Sequence, residues 1–274
     1  MYTVLSPAKK LDFSDPEKGL SKTKPLFLSD TAELVKRARK FKPQDLKRLM
    51  GISDNLATLN AERFKAFDVD GKGETKQAAL AFAGDVYLGF DANSLSKEDL
   101  AFAQKHIGIL SGLYGLLRPL DAIQPYRLEM GSRVDTKRGA NLYEFWDGAI
   151  TKAIVSQIKE SKTAVLLNLA SNEYFSAVNA KSLDVPVIQP VFKEIHNGKA
   201  KVYSFLAKKA RGLMARHIVR ERLNTPEDLK AFAIDRYKFD ADASSETRWV
   251  FTRKFIPVSS KPLKAFRLKR NGRG

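Results

Sequence analysis

The sequence has no cysteine, which excludes disulfides, thiol nucleophiles and Cys-ligated metals or clusters. That fits a reducing compartment, and the cytoplasm is the expected location. Histidine is scarce: His106, His196 and His217 lie far apart without metal-ligand spacing. No metal and no cofactor is expected. The apolar stretch Ala164–Ala170 is far too short to span a bilayer. The N-terminal stretch is not expected to be a secretory leader, because Lys9, Lys10 and Asp12 interrupt its apolar start. There is no Walker loop, no G-x-S-x-G elbow, no H-E-x-x-H and no G-x-G-x-x-G. Acid is short as well: 31 Asp and Glu stand against 48 Lys and Arg, a net charge of +17. A globular chain this basic usually meets a polyanion, most often nucleic acid. No basic helix shows a broad aromatic face, so no membrane partner is expected.

What is present suffices for a core: 274 residues, 43% of them hydrophobic. Residues 1–5, 84–90, 164–170, 186–192 and 248–255 read as strands. Helices are expected over 31–41, 75–82, 97–110, 142–158 and, very basic, within 203–222. Asn197-Gly198 is a hairpin signal. Residues 111–131 read as an ordered loop system, whose Arg118, Asp121, Tyr126, Arg127 and Glu129 form either a site or an internal salt-bridge network. The expected fold is mixed α/β (α+β): a mixed sheet surrounded by helices, with a helical hairpin inserted at about 33–67 and a basic cleft. One domain should span 1–256, and the acid-free basic tail 257–274 should be disordered.

Three stretches carry candidate chemistry. The first is 46–57, two short helical patterns joined through Gly51, with Ser53 as cap and Lys47 and Arg48 beside the turn. Backbone N–H groups at such a turn can cradle a phosphate. The second is the helix within 203–222. At 100° per residue, Lys209, Arg216 and Arg220 fall in one stripe, with Lys208, Arg211 and Arg222 on a second edge. Six cations face one acid there, which suits phosphate binding. The third is a pair of loops after strands. Ser6–Asp12 follows the first strand and Ser171–Phe175 follows 164–170, where α/β folds build sites. Lys10, Asp12 and Glu173 are the candidate catalytic groups, an amine and two carboxylates that could meet at one sheet edge.

Leu49-Met50-Gly51-Ile52-Ser53-x-x-x-Ala57 resembles the helix-hairpin-helix of non-sequence-specific DNA binders, which reads Leu-Pro-Gly-Ile-Gly-x-x-x-Ala. Met50 and Ser53 depart from it. A wider resemblance rests on Ser-Pro-Ala-Lys-Lys-Leu-Asp at 6–12, Gly-Asp-Val-Tyr at 84–87 and the run 110–131. It continues with Asn-Leu-Ala-Ser-Asn-Glu-Tyr-Phe at 168–175 and Ala-Lys-Lys-Ala-Arg-Gly-Leu-Met-Ala-Arg at 207–216. These motifs resemble the bacterial peroxide-stress protein YaaA family over roughly residues 1–255. The resemblance implies a cytoplasmic protein of the oxidative-stress response, associated with limiting free iron and iron-dependent DNA damage. It also implies a mixed α/β fold with a helix-hairpin-helix and a positively charged cleft that binds duplex and branched DNA.

The expected function is weakly sequence-specific DNA binding through backbone phosphates in the peroxide response. Gly51, Ser53, Lys47, Arg48, Lys208, Lys209, Arg211, Arg216 and Arg220 are the expected contacts. The alternatives are a repair enzyme of the glycosylase or lyase type using Lys10, Asp12 and Glu173, and an enzyme acting on a phosphate-bearing small molecule in the same cleft.

Overall fold

The centre of the molecule is β1, Tyr2–Leu5, whose four residues are all buried. A computed structural model describes residues 1–14, 20–70 and 73–256. After β1 come α1 (Leu28–Ala38), α2 (Pro43–Met50), α3 (Asp54–Ala66), β2 (Lys76–Gln77), α4 (Ala78–Ala81), α5 (Asp85–Phe90) and α6 (Lys97–His106). Next are β3 (Ile107–Ser111), β4 (Gly115–Leu117), β5 (Ala122–Ile123), α7 (Leu142–Trp146), α8 (Ala149–Glu160), β6 (Leu166–Leu169) and α9 (Asn172–Phe175). The chain ends with β7 (Val187–His196), β8 (Lys199–Lys201), α10 (Ser204–Arg220), β9 (Lys238–Asp240) and β10 (Arg248–Lys254).

The main sheet has eight strands in the order β4-β3-β1-β6-β7-β10-β9, with β8 on the end of β7. β3, β1, β6, β7 and β10 run parallel, while β4, β8 and β9 are antiparallel. β1, β3 and β6 are buried throughout, as central parallel strands covered on both faces must be. β7 instead alternates, burying Ile188, Pro190, Phe192 and Glu194 on one face. The chain crosses over β1 between β3 and β6, so the strand order reverses there. Loops on either side of such a reversal diverge and leave a crevice at the carboxyl ends of the strands.

α2 and α3 pack on each other and are joined through Gly51, which caps α2 at φ +60. Ser53 caps α3, its hydroxyl accepting from the Leu56 N–H at 3.4 Å. The Asn197-Gly198 hairpin forms between β7 and β8, with φ of 50 and 73.

Five expectations change. Residues 75–82 are not one helix: Lys76–Gln77 pair with β5 as β2, and only Ala78–Ala81 are helical. Residues 84–90 are not a strand: Gly84 precedes the helix α5, and Gly89 lies where α5 crosses α10. A Cβ on Gly89 would lie 2.2 Å from the Lys209 carbonyl oxygen, and one on Gly212 would lie 1.8 Å from that of Val86. The helix from 97 stops at His106, because Ile107 enters β3 and pairs with Thr3. The helix expected over 142–158 is broken at Asp147-Gly148, where Gly148 takes φ +73. The 111–131 stretch holds a tight turn into β4 at Gly115, φ +69, and the short β5. The expectation for the tail 257–274 falls outside the described residues.

Candidate functional site at the strand crossover

A cleft of about 400 Å³ opens at the carboxyl ends of β1 and β6, where the strand order reverses. Its floor is built from Ser6, Pro7 and Ala8 after β1 and from Ser171 after β6. The Ser6 hydroxyl accepts the Ser171 N–H at 2.8 Å and donates to the Ser171 hydroxyl at 3.3 Å. Tyr87 on α5 closes one side, donating its hydroxyl to the Ser6 carbonyl at 3.1 Å. Burial pushes the Tyr87 phenol well above its ordinary pKa, so it stays a neutral donor. Tyr174 on α9 closes another side and is likewise raised by burial.

The segment 10–12 is fixed against 81–83 by Asp12 N–H to the Ala81 carbonyl at 2.8 Å and Ala83 N–H to the Lys10 carbonyl at 2.9 Å. Gly84 follows, and a Cβ there would press on Ala8 at 2.9 Å. The cleft wall can therefore approach the β1 loop only without a side chain at 84.

The ionisable lining is Lys9, Lys10, Lys208 and Arg211 against Asp85 and Glu173. Lys9 leans to Glu129, 3.5 Å away, a carboxylate that also pairs with Arg127 at 2.9 Å. The other Glu129 oxygen is buried without a partner. Glu173 accepts the Gly131 N–H at 3.1 Å, while its own carbonyl accepts the Tyr143 hydroxyl at 2.9 Å. Arg211, like Lys10, Lys208 and Asp85, makes no side-chain hydrogen bond or ion pair among the described residues, but it is half-buried where the lysines are exposed, and burial draws its pKa below the ordinary guanidinium value.

Of the candidate catalytic groups, Lys10 and Glu173 share this cleft and Asp12 does not line it. The Asp12 carboxylate is turned to Ser14, accepting its hydroxyl at 2.6 Å and its N–H at 2.9 Å, and these bonds hold its pKa down. Of the basic helix, Lys208 and Arg211 reach the cleft, while Lys209 and Arg220 are exposed and do not line it. Arg216 instead caps α5, donating to the Phe90 and Asp91 carbonyls at 3.0 and 2.7 Å. Arg222 pairs with Asp99 at 2.8 Å. At the α2–α3 turn, Lys47 pairs with Asp54 at 2.9 Å and Arg48 with Asp45 at 2.6 Å.

A second, more open groove of about 500 Å³ adjoins the cleft, lined by Phe41, Asp45, Arg48, Leu49, Gly131 and Arg133. The two meet at the Gly131–Glu173 hydrogen bond. Residue-level reading did not single out Tyr87, Tyr174, Asp85 or Arg133. The first three sit in stretches it did mark, 84–87 and 168–175. Nothing near Arg133 in sequence announces it. Among the described residues no cluster of His, Asp or Glu is placed to hold a metal ion, and no helix is long and apolar enough to cross a membrane.

The fold is mixed α/β, an eight-stranded mixed sheet flanked by helices, with a cleft at its strand crossover. Residues 1–243 match the family described as Peroxide stress protein YaaA. The chain is 52% identical over 257 residues to a UPF0246 protein of Burkholderia lata, covering 93% of this chain and 99% of that one. It is 52% identical over 255 residues to a UPF0246 protein of Ralstonia pickettii, covering 93% and 99%. A UPF0246 protein of Hahella chejuensis is 49% identical over 254 residues, covering 92% and 99%. The chain belongs to the peroxide stress protein YaaA family.

Proposed function

We infer that this protein serves the peroxide response by holding DNA through its backbone phosphates, so limiting iron-dependent damage to the DNA it covers. The observation that carries the reading is the meeting of two grooves at Gly131–Glu173. Arg48 and Arg133 line one, and Lys10, Lys208 and Arg211 line the other. A strand running along both would pass from the α2–α3 turn to the crossover cleft. The pairs Lys47–Asp54 and Arg48–Asp45 do not prevent this, because exposed ion pairs are worth only about 0–1 kcal/mol and a phosphate can replace the carboxylate. Lys10 and Lys208 present point charges and Arg48, Arg133 and Arg211 present forks that match phosphate oxygens, so duplex and branched forms should bind with little sequence preference. Peroxide stress, the description of the family, is the setting in which such cover is useful.

The reading is tested by comparing two double variants in duplex binding. Lys208→Ala/Arg211→Ala removes cleft cations, and Lys209→Ala/Arg220→Ala removes exposed ones of the same helix. The cleft variant should bind more weakly by about tenfold or more. Equal binding by the cleft variant and the parent overturns the reading.

A further inference from the structure

The crossover cleft has a chemical make-up that a run of backbone phosphates does not call for. Arg211 is half-buried and makes no hydrogen bond or ion pair among the described residues, with Lys208 and Lys10 also lining the cleft. A guanidinium partly removed from water with no direct ion pair carries a desolvation cost that an incoming anion offsets. The Ser171 hydroxyl accepts from Ser6, and its own proton makes no bond among the described residues. That leaves one more donor at the floor. The rest of the lining is of another kind. Tyr87 and Tyr174 supply two aromatic walls, and Glu173 and Asp85 supply acceptors on the rim. Carboxylates repel a polyanion but accept hydrogen bonds from sugar hydroxyls and base N–H groups. The volume, about 400 Å³, lies in the range of about 300–1,000 Å³ usual for small-molecule sites. The crevice at a strand reversal is where doubly wound folds hold nucleotides.

We propose that the crossover cleft binds one nucleotide bearing a terminal phosphomonoester, with Arg211 and Lys208 on the phosphate and the tyrosines and Glu173 on the nucleoside. The same chemistry has two sources, a free nucleoside monophosphate and the 5′-phosphorylated end of a DNA strand. The cleft is pre-formed: the Ser6–Ser171 and Gly131–Glu173 bonds hold its floor and rim, so little ordering is needed on binding. The inference goes beyond the DNA reading, because a free nucleotide needs only the cleft and not the second groove.

The test is calorimetry on the full chain with AMP, GMP, dAMP, dGMP, CMP and dTMP, the matching nucleosides and inorganic phosphate. Short single strands with 5′-phosphate or 5′-hydroxyl ends form the second arm. At least one monophosphate or the 5′-phosphorylated strand should bind about tenfold or more tighter than its unphosphorylated counterpart and than inorganic phosphate. Arg211→Gln and, separately, the exposed Lys208→Gln should each reduce that preference by about fivefold or more. A preference for monophosphates assigns the free ligand, and one confined to strands assigns the DNA end. Absence of any 5′-phosphate preference overturns the proposal, as does a preference that both variants retain. Inorganic phosphate binding as tightly as every nucleotide also overturns it. A duplex with 5′-hydroxyl ends separates the two readings: if it binds while no phosphate preference is seen, the DNA reading stands and this one falls.

Discussion

Ser6 and Ser171 join the two loops that bracket the strand reversal: the Ser6 hydroxyl accepts the Ser171 N–H at 2.8 Å and donates to its hydroxyl at 3.3 Å. The pair spans 165 residues of sequence and forms the floor of the cleft. Ser6→Ala removes both bonds and leaves a part-buried N–H unsatisfied. The expected loss is about 1–3 kcal/mol, read as a lower urea midpoint with an unchanged m-value, together with weaker anion binding. An unchanged midpoint would show that the floor does not depend on this pair.

The crossing of α5 and α10 brings Tyr87 to the same cleft as Lys208 and Arg211, and it is made by glycine. A Cβ on Gly212 would stand 1.8 Å from the Val86 oxygen and 2.7 Å from the Phe90 nitrogen, both backbone atoms that cannot swing away. Gly212→Ala should cost about 3 kcal/mol or more, beyond ordinary overpacking, and widen the cleft. Gly51→Ala is the contrast. Nothing lies within 4 Å there, so only the φ of +60 is penalised, at about 1 kcal/mol. Chemical denaturation of both variants checks the ranking.

On the paired strands β7 and β10, Arg253 and Glu194 are a buried pair 2.8 Å apart, with the Tyr237 hydroxyl donating to the same carboxylate and the more exposed Asp235 also on the guanidinium. Arg253→Met strands that carboxylate and should cost about 3–5 kcal/mol. Adding Glu194→Met should recover the larger part of the loss, because the isolated buried charge and not the missing bond is the larger penalty and Asp235, the other partner, is partly exposed. If the double variant is as unstable as the single, that ranking is wrong.

Burial lowers the pKa of His106 and of His217 below the ordinary value of 6.5. A depressed imidazole means that the unfolded chain binds more protons in the window below 6.5. The stability these groups contribute is therefore present above pH 6.5 and is lost as pH falls through their folded-state values. Stability should decline from pH 7 toward pH 5, and His106→Gln/His217→Gln should flatten that slope. A denaturation series across this range reads it.

Much of the frame could be read from local pattern. The apolar run at 1–5, the Asn197-Gly198 turn, the Gly51–Ser53 turn and the basic helix of 203–222 each declare themselves within a few residues. What escaped depends on distant partners. Gly84 and Gly89 look like strand punctuation, but Gly89 is there to admit α10, more than a hundred residues later. Ile107 leaves a helical pattern because Thr3 is its sheet partner. Arg216 shares a stripe with Lys209 and Arg220, yet it turns to the carboxyl end of α5, a target no helical wheel contains. Lys10 and Glu173 were legible as a pair because both follow strands. Asp12 was drawn off by a serine two residues away.

The central claim is that this chain holds DNA through phosphates in the paired grooves. A salt-series titration of the full chain with a 5′-hydroxyl duplex tests it most directly. If about five phosphates are neutralised, log K should fall against log salt with a slope of roughly −4 to −5. Lys208→Ala/Arg211→Ala should reduce that slope by about 2. A slope near zero for the parent protein, or one that the cleft variant leaves untouched, would contradict the account.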